Sequence, residues 1–122
     1  MNVVDSSAWL SYFAGEACAE AVQTPLQDMD SLLVPSIILT EVFKIVTRQR
    51  DTRAAVRAIV QMRRGRVVPL DESLAIDAAR CGLEFGLPLA DSIIYATARR
   101  FDAELWTRDA DFKDLAGVRF LV

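Results

Sequence analysis

The sequence predicts an α/β protein that forms one domain over residues 1–122, with a central, mostly parallel sheet of four to five strands and helices on both faces. Short apolar segments typical of buried strands alternate along the chain with longer segments of helical periodicity. Strands separated by helices favour parallel pairing, with the helices packed on the two faces of the sheet. The length of 122 residues and the 52% apolar content allow one substantial core but not two.

The first half of the chain is predicted to hold two strands and four helical segments. Met1–Val4 is expected to form a strand, and Ser6 and Ser7 to cap a helix that begins near Ala8. A less regular helix is expected over Glu16–Asp28, which Pro25 breaks or ends. The remaining elements are a strand at Leu32–Val34, a helix that begins at Pro35–Ser36 and a helix over 52–63.

The second half is predicted to begin with a strand at Arg66–Leu70 and a helix capped by Asp71 that ends at Gly82 or Gly86. A second helix follows from Pro88 to about Arg100. The last elements are a strand at Glu104–Trp106, a helical turn at Asp111–Leu115 and a strand at Val118–Val122. The aromatic residues expected in the core, without a role in a site, are Trp9, Phe13, Phe43 and Phe85.

Four acidic residues lie where this fold would bring them together. Asp5 and Asp109 follow predicted strands, and Glu41 and Asp91 lie near the starts of predicted helices. Because ligands bind beyond the carboxyl ends of parallel strands, all four carboxylates are expected on one rim of the sheet. Carboxylates in apolar surroundings are rare unless they are paired or bind a metal.

Four converging carboxylates predict a site for one or two Mg²⁺ or Mn²⁺ ions. Both ions prefer oxygen ligands, and a metal-activated water would attack a phosphodiester there. The chain has no histidine, which excludes histidine general-base chemistry, the Ser-His-Asp triad and histidine-ligated zinc or iron.

Each acid also has an ordinary structural interpretation. Asp5 would cap the following helix, and Glu41 would pair with Lys44. Asp91 would complement the dipole of its helix, and Asp109 and Asp111 would be turn or capping residues.

Three hydroxyl side chains lie beside the acidic positions. Ser6, Ser7 and Thr107 would hold the carboxylates or a metal-bound water in place. Ordinary capping and turn roles explain the same three residues equally well.

Charge is unevenly distributed along the chain. Residues 44–66 carry eight basic residues against the single acid Asp51, a net charge of +7, so the remainder carries −10 within the total of −3. Such a chain can present a basic face to phosphate and an acidic pocket to metal. Arg53 and Arg57 are the candidate contacts to a nucleic-acid backbone. The same helices would otherwise be solvated surface, an interface between copies or a groove for a partner protein.

The two cysteines, Cys18 and Cys81, belong to no paired motif and are expected to be free thiols in a reducing compartment. The N-terminus lacks a basic segment, so a signal peptide is not expected. The longest apolar stretch is too short to span a bilayer. The expected location is the cytoplasm.

Four motifs together resemble those of the PIN-domain ribonucleases, and most closely the VapC-like toxins of toxin–antitoxin pairs. They occur in the order and at the approximate spacing of that family, from Asp5 to Phe112. The motifs are Val-Val-Asp-Ser-Ser at residues 3–7, Pro-Ser-x-x-x-Thr-Glu-Val at 35–42, Leu-Ala-Asp-Ser-x-Ile-x-Ala-x-Ala at 89–98 and Thr-Arg-Asp-x-Asp-Phe at 107–112.

The resemblance implies an endoribonuclease dependent on Mg²⁺ or Mn²⁺, with Asp5, Glu41, Asp91 and Asp109 as its catalytic and metal-binding acids. Asp5 and Asp91 are expected to be the principal ligands. The resemblance also implies a homodimer and a small antitoxin protein whose tail occupies the acidic site. The residues it implies in supporting positions are Ser6 or Ser7, Thr107 and Asp111.

Two alternatives stay open. The first is a PIN-type nuclease that processes RNA outside a toxin pair, and the second is a non-catalytic module whose acids bind a basic partner. A phosphoacceptor receiver domain is disfavoured, because such a domain needs a lysine near its acidic pair and the chain has only Lys44 and Lys113.

Overall fold

The computed structural model describes residues 1–122 as five β-strands and six α-helices, with two short 3-10 helices at Met29–Ser31 and Ala110–Phe112. The strands are β1 (Asn2–Val4), β2 (Leu32–Pro35), β3 (Arg66–Val68), β4 (Glu104–Thr107) and β5 (Val118–Phe120). The helices are α1 (Ser6–Ala14), α2 (Ala19–Leu26), α3 (Ser36–Gln49), α4 (Thr52–Met62), α5 (Glu72–Phe85) and α6 (Leu89–Arg100).

The five strands form one sheet in the order β3-β2-β1-β4-β5, and every pairing is parallel. Val3 of β1 lies opposite Leu33 of β2 and Leu105 of β4. The order reverses between β1 and β4, so right-handed crossovers place the helices before and after β3 on opposite faces. The predicted parallel α/β fold is confirmed. Such a reversal opens a crevice at the carboxyl ends of the two central strands.

Several predicted boundaries differ from those observed. Helix α1 begins at Ser6, not near Ala8, and Asp5 rather than Ser6 or Ser7 occupies the position before its first turn. Pro25 lies inside α2, one residue before the helix ends at Leu26. The strands β3 and β5 are each two residues shorter than predicted. The helix capped by Asp71 ends at Phe85, followed by Gly86 in the left-handed conformation.

Apolar packing against both faces of the sheet forms the core. Trp9 is fully buried and stacks on Phe13 with 5.5 Å between ring centroids. Tyr95 is buried against Phe85, and its hydroxyl donates to the backbone oxygen of Ala116. The expectation that Phe43 lies in the core is wrong, because 39% of its surface is exposed on α3. No helix of the fold is both long and apolar enough to cross a membrane.

Helices α5 and α6 approach each other closely at Gly82. A Cβ atom placed on Gly82 would lie 2.7 Å from the Ser92 hydroxyl oxygen. That hydroxyl is buried and donates to the backbone oxygens of Pro88 and Leu87, which fixes the first turn of α6. Asp91 lies in the same turn, so this contact bears on the position of its carboxylate.

We expect Gly82→Ala to lower the free energy of unfolding by about 1–3 kcal/mol, because the added methyl group overpacks against Ser92. The gain in helix propensity from glycine to alanine, about 1 kcal/mol, acts in the opposite direction. Chemical denaturation of the single variants and of the double variant Gly82→Ala/Ser92→Ala measures both effects. Because Ser92→Ala also removes the two hydrogen bonds of that hydroxyl, the test is the coupling: a double variant whose loss of stability equals the sum of the two single losses would contradict the assignment of the clash to the Ser92 hydroxyl.

Candidate metal centre

The fold brings the four predicted acids to the crevice between β1 and β4. Asp5 directly follows β1, and Asp109 lies two residues after the end of β4. Asp91 is in the first turn of α6, and Glu41 is in the second turn of α3. The electrostatic field at Asp91 contains contributions from Asp109, Asp5, Asp111 and Glu41, so all five carboxylates share one site.

Asp5 is the most buried of these acids, with 2% of its surface exposed. Its Oδ2 atom accepts hydrogen bonds from the hydroxyls of Ser7 and Thr107, each 2.8 Å long. Its side chain forms no capping bond to α1, so the ordinary capping role does not account for it. Both hydroxyls donate to the same oxygen, which leaves Oδ1 without a hydroxyl donor.

The two hydroxyls also accept hydrogen bonds from the backbone that follows β4. The Arg108 N–H donates to Ser7 Oγ at 3.0 Å, and the Asp109 N–H donates to Thr107 Oγ1 at 2.9 Å. Ser7 and Thr107 therefore connect the Asp5 carboxylate to the loop that carries the next acids. Ser6 acts on a different acid, since its side chain lowers the pKa of Glu41.

The closest group of acids is Asp91, Asp109 and Asp111, which each offer a carboxylate oxygen within 4.8 Å of the others. Asp111, predicted only in a supporting position, is thus in direct proximity to two of the main acids. It is brought there by the 3-10 helix Ala110–Phe112, which begins where the Asp109 Oδ1 atom accepts the Asp111 N–H at 2.9 Å. Asp109, not Asp111, is the capping residue.

Glu41 projects a buried oxygen that has no hydrogen-bond partner, its Oε1 atom. No ion pair links Glu41 to Lys44, so the ordinary pairing role is not observed. Burial raises the pKa of Glu41, the hydrogen bond from Ser6 opposes that rise, and the charges of Asp5 and Asp109 add to it. An unpartnered carboxylate oxygen in such a place favours an additional ligand.

Burial and mutual repulsion raise the pKa of three of the acids. Burial is the largest cause of the raised pKa of Asp5. The hydrogen bonds from Thr107 and Ser7 act in the opposite direction and lower this pKa. Burial, together with the charges of the four neighbouring carboxylates, raises the pKa of Asp91 to about 7. The charges acting on Asp91 are thus all negative. Acids with strongly raised pKa values in a crevice are typical of functional sites.

These residues fit a divalent cation such as Mg²⁺ or Mn²⁺. The donors are all carboxylate oxygens, which hard cations prefer. Their raised pKa values and the free Glu41 oxygen indicate a negative charge that the protein does not neutralise by itself. A bound cation would remove that repulsion.

The two arginines predicted to contact RNA are exposed on α4. Arg57 lines a cleft of about 320 Å³ between α1, α3 and α4, together with Arg50 and the apolar residues Leu10 and Phe13. None of the basic residues in 44–66 forms an ion pair.

One further contact lies beside the acids and is absent from the predicted site. The guanidinium of Arg108 donates from Nη1 to Glu16 Oε2 and to Ser11 Oγ, both at 2.7 Å. Glu16 is 92 positions away in sequence, and no spacing or motif signals such a pair.

Fold and site together define an α/β protein with an acidic crevice at the carboxyl edge of a parallel sheet. A sequence model of the PIN domain matches residues 3–118, nearly the whole chain. The chain therefore belongs to the PIN-domain family, as its motifs predict. No curated protein matches the sequence significantly.

Solved structures share the fold over their full length. A toxin–antitoxin complex from Klebsiella pneumoniae contains a chain with a TM-score of 0.81 and 23% identity, covering 98% of this chain and 96% of the other. VapC20 from Mycobacterium tuberculosis, described as a toxin that cleaves the sarcin–ricin loop, has a TM-score of 0.81, 20% identity and complete coverage of both chains. VapBC2 from Rickettsia felis, bound to promoter DNA, has a TM-score of 0.77, 11% identity and coverage of 99% and 98%.

We expect the metal-free protein to become less stable as the pH rises from about 4 to about 7. Asp91 has a pKa of about 7 in the folded state, against roughly 3.9 in the unfolded chain, so in this range the folded state binds a proton that the unfolded state lacks. Asp91→Asn should remove the part of this dependence that comes from Asp91, while the raised pKa values of Asp5 and Glu41 maintain the rest. At pH 7 it should raise the free energy of unfolding by about 1–2 kcal/mol, a figure reduced because the side chain is only half-buried.

Urea unfolding in EDTA at several pH values measures this effect. Asp114→Asn, which changes an exposed acid outside the closest group of acids, is the matched control. Parallel pH profiles for the wild type and Asp91→Asn would contradict the raised pKa of Asp91.

Proposed function

We propose that this protein is a metal-dependent endoribonuclease and the toxin of a toxin–antitoxin pair. The observation that carries the proposal is the convergence of five carboxylates, without a neutralising cation among their neighbours, at the crevice of a PIN-domain fold. The named VapC20 toxin cleaves the sarcin–ricin loop, which supports RNA as the substrate class here.

Asp91, Asp109 and Asp111 would hold the first cation, since their oxygens are close enough to share one ion. Asp5 would bind through Oδ1, while Ser7 and Thr107 keep its Oδ2 atom in place. Glu41, with its free oxygen, would complete the site or orient the attacking water. When bound, one or two Mg²⁺ or Mn²⁺ ions would activate water and neutralise charge on the phosphodiester.

An antitoxin partner is supported by the toxin–antitoxin complexes among the structural relatives. The cleft between α1, α3 and α4 offers an apolar floor flanked by Arg50 and Arg57, which suits an amphipathic segment with acidic residues. Glu41 and Arg50 lie nine residues apart along α3 and its end, about 13 Å at helical rise. A partner segment that occupies the cleft could therefore extend to the acidic crevice.

A homodimer is part of the same proposal. Ile76 and Leu83 of α5 and Leu89 of α6 have 56%, 89% and 80% of their surfaces exposed. Apolar side chains of this size on neighbouring helices are typical of surfaces that a second subunit covers.

We expect purified protein, free of antitoxin, to cleave RNA in Mg²⁺ or Mn²⁺ and not in EDTA. Asp5→Asn and Asp91→Asn should each lower the cleavage rate by at least about 10²-fold, because each removes a charge that binds the cation. Incubation with a mixed pool of tRNA and rRNA, followed by end mapping of the products, measures this. Asp114→Asn serves as the control variant.

Cleavage that persists in both variants would overturn the assignment. If no cleavage is seen, the melting temperature measured with and without each ion separates a nuclease with a narrow target from a non-catalytic module. An ion that binds only the folded state must raise the melting temperature. Stabilisation without cleavage would favour a narrow RNA target, and neither effect would favour the non-catalytic acidic module.

We also expect Arg53 and Arg57 to contact the RNA backbone. In an Asp5→Asn background, Arg53→Glu and Arg57→Glu should weaken RNA binding and reduce the slope of log affinity against log salt by roughly 0.7 for each phosphate that is no longer neutralised. Arg80→Glu, an equal charge change on α5, is the control. Equal effects of all three substitutions would indicate a general charge effect and contradict a specific contact.

A further inference from the structure

Arg108 lies at the junction between β4 and the loop that carries Asp109 and Asp111. Its backbone N–H donates to Ser7 Oγ, and the next N–H along the chain, that of Asp109, donates to Thr107 Oγ1. Both hydroxyls also donate to Asp5 Oδ2. The start of the loop is therefore held by groups that are already engaged with the most buried acid.

The side chain of Arg108 holds the loop from the other direction. Its Nη1 atom donates to Glu16 Oε2 and Ser11 Oγ, both at 2.7 Å. Ser11 has only 3% of its surface exposed, and the Glu16 N–H donates to the Ser11 backbone oxygen at 3.0 Å. Arg108 is thus anchored to the end of α1 through one buried hydroxyl and one carboxylate.

The loop needs such an anchor because its acids repel their neighbours. Asp91, Asp109 and Asp111 have carboxylate oxygens within 4.8 Å of one another. Without a bound cation, this repulsion favours movement of the loop away from α6. The Arg108 side chain forms the only ion pair in residues 107–112, so it is the main charged contact that opposes this movement.

We propose that Arg108 and Glu16 form a clamp that positions the loop Thr107–Phe112, and with it Asp109 and Asp111, for cation binding. Arg108 and Glu16 are positioning residues in this scheme and do not touch substrate. The proposal rests on the proposed metal-dependent function. An exposed ion pair contributes little to global stability, so the effect of the clamp is expected in the loop and the metal site, not in the melting temperature.

A double-mutant cycle tests the clamp with Glu16→Gln, Arg108→Gln and the double variant. Glu16→Gln leaves the charge of Arg108 in place, so it separates the clamp from any direct effect of that charge. Glu104→Gln is the matched control, because it also removes one negative charge and one exposed ion pair, that with Arg119. Calorimetric Mn²⁺ affinity and amide hydrogen exchange of residues 107–112 in EDTA are measured for each protein.

We expect both single variants to bind Mn²⁺ about tenfold more weakly, as is typical when side chains that orient metal ligands are removed. The double variant should be no weaker than Arg108→Gln alone, because the two residues act as one unit. Amide exchange in residues 107–112 should be faster in all three. Glu104→Gln should match the wild type in both measurements.

Unchanged Mn²⁺ affinity in Glu16→Gln would overturn the clamp, whether or not amide exchange becomes faster. The clamp would also be overturned if the loss of Mn²⁺ affinity in the double variant equalled the sum of the two single losses. Arg108 would then act through its charge and not through its contact with Glu16. A wild-type protein that binds no Mn²⁺ would contradict the proposed function instead. In that case, amide hydrogen exchange of residues 107–112 in EDTA, compared between the wild type and the variants, decides whether the clamp holds the loop.

Discussion

The burial of the Asp5 carboxylate at the end of the central strand β1 constrains the whole rim of the sheet. A buried carboxylate is costly unless hydrogen bonds satisfy it. Here the donors are Ser7 of α1 and Thr107 of β4, so one acid joins the start of a helix to the end of a neighbouring strand. The same hydroxyls accept backbone N–H groups from the following loop. The position of that loop therefore depends on the hydrogen bonds that Ser7 and Thr107 donate to Asp5.

Repulsion among the acids of the site lowers the stability of the metal-free protein. Three carboxyls have raised pKa values, and the charges that act on Asp91 are all carboxylates. The fold holds them together because each acid follows a strand of the sheet or lies near the start of a helix that packs on it. A bound cation converts this repulsion into attraction. Binding of a cation in the crevice would thus change the stability of the fold, because both depend on the same few side chains.

The acidic crevice and the basic helices form separate surfaces joined by α3. The early part of that helix carries Glu41, and its end leads to Arg50 in the apolar cleft. A chain with a net charge of −3 therefore presents both an acidic crevice and a strongly basic surface.

The sequence by itself determined the parallel α/β class, the element order and the edge of the sheet on which the four predicted acids lie. These follow from local information, since apolar periodicity sets the elements and parallel strands place their carboxyl ends on one edge. The boundaries of the elements follow less closely from local information. Helix α1 begins two residues before its predicted start, because Asp5 takes the position before the first turn. The apolar character of Phe43 predicts a place in the core, yet this side chain is exposed.

Only the tertiary structure decided which acids meet most closely and what holds them. Asp111 joins Asp91 and Asp109 because a 3-10 helix turns its side chain toward α6. Arg108 meets Glu16 across 92 positions of sequence because β4 ends beside α1. Contacts of this kind depend on strand order and loop path, which pair residues distant in the chain. Local propensity carries no information about such pairs, and this is why the proximity of Asp111 to Asp91 and the contact between Arg108 and Glu16 could not be predicted from the sequence.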